Sequence, residues 1–538
     1  MEAMTLARSP RIAALTLCAA AIATFAWSLG PGAAPAPANQ SMLSLMQDDD
    51  LLVYRGNIEK ISTLNRMKAL GVDAVRVTVL WSVVAEGKKN NKRANDPRGY
   101  PARKWDRYDT LVYTARQAGV AVLFNVTGPG PTYGHERPPR NRAASKRTWK
   151  PKAREFAEFV EAVGKRYSGT YRDENVKLTI PRVNLWSIDN EPNQGGWLTP
   201  QFDVEPTLKQ KIAISPILYR ELYLRGRRAL AKSGHDDDVI LLGETAPLGD
   251  PKGRKTDRKA MSPVEFISEM MCIAPNGRPY KGRQATARKC DMFDKLGPIE
   301  ATAFAHHPYT RSDAPTQPPS RSGYTLGNIS QLGTALDSYA QKSGGDIPSG
   351  LPLLLTAYGY ETNPPDPISG ISPELQAQYI NEGDFILYQN PRIIGNTQFL
   401  LRDVPPVRSA KKGSQAYWFT YQSGLFYQND QPKPAALAYG LPLVLNVAGR
   451  DGAGGGTVNV WGQLRFRPNG AQGDTVQLFF RPEGSTQWTA NGDPIPVTSP
   501  FGYFTAQRSA PASGTWRAVW SGSQAPTVFA SREVKVQF

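Results

Sequence analysis

Apolar segments with two different periods alternate along residues 50–445, and this alternation limits the fold more than any other feature of the sequence. Short runs rich in Val, Ile and Leu, such as 74–80 and 120–126, indicate buried strands, because parallel strands are covered on both faces. Longer segments with helical spacing lie between them, and several of these, such as 105–118, stop at a glycine. Eight such alternations predict a (β/α)₈ TIM barrel with long upper loops.

The predicted barrel domain covers residues 45–447. An open doubly wound sheet would show the same alternation, but no Gly-rich dinucleotide loop follows the first strand, which favours the barrel. The eight predicted strands are 51–54, 74–80, 120–126, 182–188, 239–243, 299–305, 351–356 and 416–420.

The sequence changes character after Arg450. Residues 451–456 hold four glycines and no large side chain, so we predict a linker there. From 457 to 538, polar and apolar residues alternate between turns rich in Gly, Pro and Asn. This pattern is typical of a small β-sandwich of the immunoglobulin or fibronectin kind, which would pack against the barrel or hold a polymer.

Residues 1–38 have the features of an export signal. Arg8 and Arg11 precede an apolar run at 12–27, and Ala-Pro-Ala at 36–38 offers a small-x-small cleavage site. We therefore expect a secreted or cell-surface protein, with an uncleaved anchor as the alternative. Cys272 and Cys290 then predict a disulfide, the alternative being two free thiols.

The formal net charge is +17, without a run of five like charges. Such a surface would be attracted to an anionic cell surface or an acidic glycan, although a solvated surface with no specific role is the simpler interpretation. No nucleic-acid reader motif accompanies the charge, so we expect no nucleic-acid partner. The cysteine spacing matches no zinc pattern, and we expect neither a metal nor a cofactor.

The clearest chemical signal is the segment 183–193, where an apolar run ends in Asn190-Glu191-Pro192. Proline cannot donate to a strand ladder, so the strand should stop there. Asn190 and Glu191 would then lie at the carboxyl end of the strand, where barrels of this kind carry their chemistry. A carboxyl group beside an amide that can hold a sugar hydroxyl suits the general acid/base of a glycosidase.

Further polar or aromatic residues fall at or near the carboxyl ends of the predicted strands. Each has a simpler explanation, since an aromatic ring can cap the barrel and one of His306 and His307 can be a core histidine. We predict that each of these polar or aromatic residues binds substrate, except Glu191, Glu244 and His306. The whole set is Arg76, Trp81, Asn125, Asn190, Glu191, Glu244, His306, His307, Tyr309, Tyr358 and Trp418.

On these residues the chain resembles the clan A glycoside hydrolases, most of all their cellulase-like and family 39-like members. The matching stretches are 74–77, 186–193, 307–309 and 355–362. In that clan, a glutamate that ends the fourth strand is the acid/base, and a glutamate that ends the seventh is the nucleophile. The resemblance therefore implies that Glu191 is the acid/base, with Asn190, Arg76 and His307 around the cleaved bond.

The nucleophile does not carry over, because alanine stands at position 357 where the pattern Thr-Glu-x-Gly requires glutamate. Retaining hydrolysis needs two carboxyl groups about 5–5.5 Å apart, and Ala357 supplies none. Three explanations remain open: an inactivating change in an ordinary enzyme, a sugar-binding relative without turnover, or a nucleophile supplied by Glu361. Glu361 would have to return through a turn, which Gly359 permits.

The sequence as a whole predicts an exported glycoside hydrolase that acts on an oligo- or polysaccharide by a retaining mechanism and works as a monomer. Glu191 and Glu361 are the candidate catalytic residues. The alternatives are a carbohydrate-binding protein that does not cleave its ligand and a structural protein of the cell surface.

Overall fold

A closed barrel of eight parallel strands is followed by a domain of antiparallel strands in the computed structural model of this protein. The structure describes residues 39, 41–87, 89–90, 93–250, 252–465, 473–522 and 528–538. The predicted export signal at 1–38 lies outside the described residues. Within these ranges no helix combines the length and the apolar composition that a membrane span requires. The predicted fold class, a TIM barrel followed by a β-sandwich, is confirmed.

Each barrel strand is hydrogen-bonded to two neighbours, and the last strand pairs with the first. Leu45, Leu123, Leu241 and Leu354 come from alternate strands and belong to one buried cluster, as expected for a layer inside a closed barrel. In chain order the strands are β1 (Leu43–Gln47), β2 (Ala74–Leu80), β3 (Ala121–Thr127), β4 (Leu185–Ile188), β5 (Val239–Thr245), β6 (Ala303–His306), β7 (Leu353–Tyr358) and β8 (Ile393–Phe399).

Eight longer helices follow the strands and cover the barrel. Their ends carry the expected signals: the hydroxyl of Ser372 accepts the amide of Leu375 at one helix start, and Gly119 ends another helix with a φ of 66°. The helices are α1 (Asn57–Ala69), α2 (Ala102–Ala118), α3 (Ala153–Arg166), α4 (Ser215–Lys232), α5 (Pro263–Met270), α6 (Ile329–Lys342), α7 (Pro373–Tyr388) and α8 (Pro434–Gly440).

The prediction for the first strand is wrong. Residues 51–54 lie in a turn of π-helix (Asp50–Tyr54) in which Leu51, Leu52 and Val53 are all buried. A short apolar run has the same appearance in a buried strand and in a buried helical turn, so its period could not separate them. The true first strand lies a few residues earlier, at Leu43–Gln47.

The prediction for the eighth strand is also wrong. Residues 416–420 belong to the long loop that follows β8, which is the true eighth strand. Gly395 and Asn396 are residue types that are unusual in strands, and they interrupt the apolar pattern of β8. The sequence pattern therefore did not identify β8 as a strand. The predicted strands between these two overlap the observed strands.

The C-terminal domain consists of two antiparallel sheets. One joins β9 (Leu443–Arg450), β10 (Gly456–Gln463) and β12 (Tyr503–Ala510). The other is built on β11 (Thr475–Pro482) and β13 (Gly514–Ser521), with short strands at their edges.

The predicted linker at 451–456 is instead a hairpin turn. Strand β9 pairs with β10 on either side of it, and the amide of Asp451 donates to the carbonyl of Gly455. The glycines allow the backbone to form a tight turn. A glycine-rich segment has the same composition in a tight turn and in a flexible linker, so the prediction of a linker was wrong. The sandwich therefore begins at Leu443, directly after α8, and not at residue 457.

The two domains share a buried interface. The ring of Trp461 lies 5.3 Å from that of Phe385 and 5.4 Å from that of Tyr388, both on α7. Arg465 forms an ion pair of 3.1 Å with Asp384, and both side chains are almost wholly buried. The sandwich is therefore packed against α7 of the barrel through both aromatic and charged side chains.

Cys272 and Cys290 form the predicted disulfide, with their Cα atoms 5.8 Å apart. The loop that they close follows α5 and contains one short helix, Gly282–Ala287. Arg220 of α4 reaches into this region and donates to the carbonyls of Met270 and Arg288. The disulfide and this arginine together fix a long connection on the outside of the barrel.

Candidate active site

Strand β4 ends in a sharp turn that exposes Glu191. Asp189 and Glu191 have positive φ angles of 66° and 42°, which non-glycine residues adopt only when surrounding contacts hold them. Here the amide of Asn190 and the hydroxyl of Thr127 donate to the carboxyl of Asp189. The amide of Glu191 donates to the carbonyl of Glu244 on the neighbouring strand. Its side chain is left 23% exposed.

Arg76 lies at the centre of the buried polar contacts beneath Glu191. Its guanidinium donates to Gln47, to the amide oxygen of Asn190 at 2.7 Å and to the carboxyl of Glu244 at 3.0 Å. These residues come from β1, β2, β5 and the end of β4, so four separate parts of the barrel converge on one charge. Arg76 and Asn190 are thus brought together as predicted, although both lie below the surface.

His307 joins two carboxyl groups. Its Nδ1 lies 2.8 Å from Glu191 Oε1, and its Nε2 lies 2.7 Å from Glu244 Oε2. Burial would lower the pKa of His307, but the hydrogen bonds and charges of the two carboxylates outweigh it and raise that pKa. Both ring nitrogens face carboxyl oxygens, and the raised pKa favours the protonated ring, which can donate from both of them.

Glu244 is completely buried, and the prediction named it at a strand end without giving it a role in the site. Burial would raise its pKa, but the charge of Arg76 and the hydrogen bond from His307 lower it to about 2. The hydroxyl of Thr356 donates to the same carboxylate at 2.7 Å. The only sequence signal for Glu244 was its place at the end of β5, among the other polar residues at strand ends.

The pair Glu191 and Glu244 cannot flank a sugar. The imidazole ring of His307 lies between the two carboxyl groups, 2.8 Å from Glu191 and 2.7 Å from Glu244. Two carboxyl groups that act together on a sugar need the space between them for the substrate or a water. Here the histidine ring fills the space, so Glu244 positions His307 and Arg76 and does not touch a substrate.

Ala357 lies at the end of β7, directly after the threonine that donates to Glu244. It is buried and offers no carboxyl group. Glu244 of β5 is thus the anionic partner of Arg76 and His307. Through Thr356 it contacts the end of β7, where the resemblance places the missing nucleophile.

Glu361 follows β7 and carries a proton at neutral pH. Burial first, and then the hydrogen bond to Asp366 and the charge of that residue, raise the pKa of Glu361 to about 8. Asp366 is itself buried and accepts the amides of Ile368 and Ser369. The chain next to Glu361 runs beside the loop after β8, since the amide of Thr362 donates to the carbonyl of Gln422.

Aromatic side chains lie beside these carboxyl groups. The ring of Tyr309 is 6.4 Å from that of His307 and 6.4 Å from that of Phe399, whose ring is 5.0 Å from that of Tyr421. Desolvation of its hydroxyl and the charges of Glu191 and Glu361 raise the pKa of Tyr421 to about 12. Tyr421 therefore stands within electrostatic reach of both candidate catalytic residues.

Three predicted binding residues are buried and contact other parts of the protein. Trp81 is 1% exposed and stacks on Phe159 of α3 at 6.1 Å, because α3 covers the barrel at this point. The hydroxyl of Tyr358 donates to that of Tyr360 beneath α7. Asn125 donates to the carbonyl of Asp189 and so supports the turn before Glu191.

Trp418 lies in the long loop after β8 and not on a strand. It is half-buried, and its ring meets that of Tyr417 at 5.0 Å. The more exposed rings of this loop, Phe419 at 80% and Tyr421 at 53%, were not among the predicted binding residues. No group of three His, Cys, Asp or Glu side chains within the described ranges could hold a metal ion.

No family model matches the chain, and no curated protein matches it. Among solved structures it is similar to beta-glucuronidase 2 of Bacteroides uniformis, with 11% identity and a TM-score of 0.41 over 92% of this chain but only 46% of the glucuronidase. It is also similar to GH5_18 from Streptomyces cattleya, with 14% identity and a TM-score of 0.43 over 75% of this chain and 79% of that one.

The endo-beta-1,4-mannanase of Thermotoga petrophila is similar too, with 12% identity and a TM-score of 0.38 over 92% of this chain and 97% of that enzyme. At 11–14% identity and TM-scores below 0.5, these likenesses leave the activity of this chain to be inferred from its own site. The finer resemblance to family 39-like members stays a prediction.

Proposed function

We propose that this protein is a glycoside hydrolase that binds an oligo- or polysaccharide at the carboxyl ends of its barrel strands, with Glu191 as the group that transfers the proton. One observation carries the proposal. Glu191 is the exposed end of a hydrogen-bonded chain, Glu191–His307–Glu244–Arg76, whose other members are buried. A partly exposed carboxyl group held this firmly at a barrel mouth suits general acid/base catalysis.

The second catalytic group in this proposal is Glu361, because Glu244 is enclosed and Ala357 has no carboxyl. As a nucleophile Glu361 must be ionised, yet its pKa is about 8. Retaining hydrolysis would therefore be slow at neutral pH and would accelerate as Glu361 loses its proton. We also propose that the protein is exported by residues 1–38 and acts as a monomer.

A second candidate is a carbohydrate-binding protein that does not cleave. It is favoured by one specific observation, Ala357 at the end of β7, which leaves Glu191 without an ionised carboxyl partner that a sugar could reach. The exposed rings of Phe419 and Tyr421 suit sugar binding in either case, because flat aromatic faces pack well against pyranose rings.

Hydrolysis of a panel of aryl glycosides by four variants separates the two candidates. We expect slow turnover by the natural sequence and a loss of about 10²- to 10⁴-fold in Glu191→Gln, as for removal of a general acid/base. Glu361→Gln should lose turnover as well. Glu374→Gln is the matched control, since Glu374 is exposed in the first turn of α7.

The variant Ala357→Glu adds a carboxyl group at the end of β7. Activity in this variant alone, together with sugar binding by the natural sequence, would establish the non-cleaving candidate. Equal losses in Glu191→Gln and Glu374→Gln would refute the role of Glu191.

A further inference from the structure

We propose that the saccharide is an anionic polysaccharide, one that carries carboxylate, sulfate or phosphate groups along its chain. This inference rests on the proposed function, because it names the substrate class of the same site. The observation behind it is the uneven distribution of charge: the loops around Glu191 are strongly basic, whereas the network directly beneath the site is close to charge balance.

The loop after β3, residues 128–152, holds seven lysines and arginines and one glutamate. The loop after β5, residues 246–261, holds five lysines and arginines and two aspartates. In a parallel barrel the loops that follow the strands all lie at the same end, the end that carries Glu191. Clefts lined by one sign of charge concentrate ligands of the opposite sign.

Both loops contact the connection that follows β4, which begins with Glu191. Arg142 of the first loop pairs with Asp203 at 3.1 Å, in the connection after β4, and lies 3.7 Å from Asp257 of the second. The amide of Met261 donates to the carbonyl of Asn193, two residues after Glu191. The three connections therefore form one continuous layer.

Many cations of this layer are exposed and form no ion pair with another described residue. We call them the basic rim, which consists of Arg137, Arg140, Lys146, Arg147, Lys252, Arg254 and Arg258. Cations used for folding in these loops do have partners, such as Arg142 and Asp203. Unpaired, exposed cations remain available to an anionic ligand.

The long loop after β8 supplies cations together with aromatic rings. Arg408, Lys411 and Lys412 are exposed and form no ion pair within the described chain, and the sequence has no acidic residue between Asp403 and Asp430. Phe419 and Tyr421 lie on the same loop. Rings for stacking and cations for acidic substituents are what a charged sugar polymer requires and a neutral one does not.

Binding of two matched polymers tests the proposal. Polygalacturonate and its fully methyl-esterified form share one backbone, and the methyl esters remove the negative charges of the carboxylates. We expect the natural protein to bind the charged form at least tenfold more tightly, and the difference to shrink as salt is raised, because screening weakens exposed charge contacts. Dextran sulfate, compared with dextran, shows whether sulfate serves as well as carboxylate.

The variant that tests the basic rim replaces Arg137, Arg140, Lys146 and Arg147 with glutamine. Its control removes four exposed cations from the helices: Arg116, Arg228, Lys232 and Lys342, also replaced with glutamine. Both variants change the net charge equally. We expect a loss of tenfold or more in binding of the anionic polymer by the rim variant and less than twofold by the control.

Each outcome bears on a different claim. Equal binding of the charged and the esterified polymer would overturn the anionic substrate and leave the proposed carbohydrate function standing. Binding of none of the polymers would overturn both. Single-stranded DNA bound as tightly as polygalacturonate, with the same loss in the rim variant, would show a surface that takes any polyanion and would also overturn the proposal.

Discussion

At the scale of single residues, the site depends on charges that balance below the surface. Arg76 is a buried cation whose anionic partner is the carboxylate of Glu244, and His307 connects that carboxylate to Glu191. Removing one member of such a set leaves an uncompensated charge away from water, which costs more than the lost contact itself. Glu191 therefore depends on a residue that no substrate reaches.

Replacing Glu244 with glutamine should destabilise the protein by about 3 kcal/mol at pH 7, because Arg76 and His307 lose their shared anionic partner. The folded-state pKa of Glu244 is depressed to about 2, so its contribution to stability is present above its ordinary pKa of 4.5 and is lost as pH falls towards 2. Urea unfolding of both forms across this range measures the difference. Stability that stays within about 0.5 kcal/mol of the natural sequence, as expected for Glu374→Gln, would contradict the proposed balance.

The stability of Glu361→Gln, relative to the natural sequence, should change with pH in the direction opposite to that of Glu244→Gln. Because the folded-state pKa of Glu361 is raised to about 8, its protonated form stabilises the protein below 4.5, and that stability is lost as pH rises through 8. Glutamine cannot ionise, so we expect the variant to gain thermal stability relative to the natural sequence as pH rises from 5 to 9. A difference in Tm that does not change with pH would show that Glu361 ionises normally.

At the scale of secondary structure elements, the interior strands were predictable and the closing strands were not. Strands β2 to β7 are runs of apolar residues buried on both sides, which few other structures can accommodate. At β1 and β8 the pattern fails, because three consecutive buried residues form a helical turn and Asn396 replaces an apolar residue. The barrel was therefore evident from the sequence, although the strands at which it closes were not.

Local sequence patterns likewise predicted only part of the candidate site. Asn190, Glu191 and His307 were predictable because a charged or polar side chain at the end of a buried strand has few other uses. Arg76 was predictable because a cation inside an apolar strand needs a polar or anionic partner. A ring at such an end can instead pack under a helix, as Trp81 does against α3. The role of Glu244 required knowledge of the contact between β5 and its neighbours, which no local pattern records.

The disulfide is an element whose removal can be measured separately. It closes a separation of 18 residues, for which the chain-entropy estimate is about 3 kcal/mol. We expect Cys272→Ser combined with Cys290→Ser to lower the free energy of unfolding by about 2–4 kcal/mol without a change of fold. The natural protein in a reducing agent is the matched control, and stability unaffected by either treatment would mean that the loop is held by Arg220 alone.

At the scale of the whole molecule, the barrel and the sandwich form one packed body. Gly71, at the end of α1, comes so near Arg465 that a Cβ there would lie 2.1 Å from the carbonyl oxygen of Arg465. Asn381 of α7 donates to Ala438 and accepts from Arg532 near the end of the chain. Contacts of this kind connect the last strands to the helices of the barrel.

Arg465→Ala should therefore weaken both domains together. It leaves Asp384 buried without its partner, at a cost of about 3–5 kcal/mol. We expect one calorimetric transition in the natural protein and one transition at a lower temperature in the variant. Two well-separated transitions in the natural protein would show that the domains unfold independently and would contradict a shared interface.

The hairpin turn between β9 and β10 has a practical consequence for protein engineering. Because α8 leads within three residues into the first strand of the sandwich, there is no spacer at which the two parts can be cut and joined to other proteins. A sandwich grafted onto a foreign enzyme would expose the rings of Trp461 and Tyr503, which α7 covers here. Such a graft should aggregate unless its new host offers a replacement for that helix.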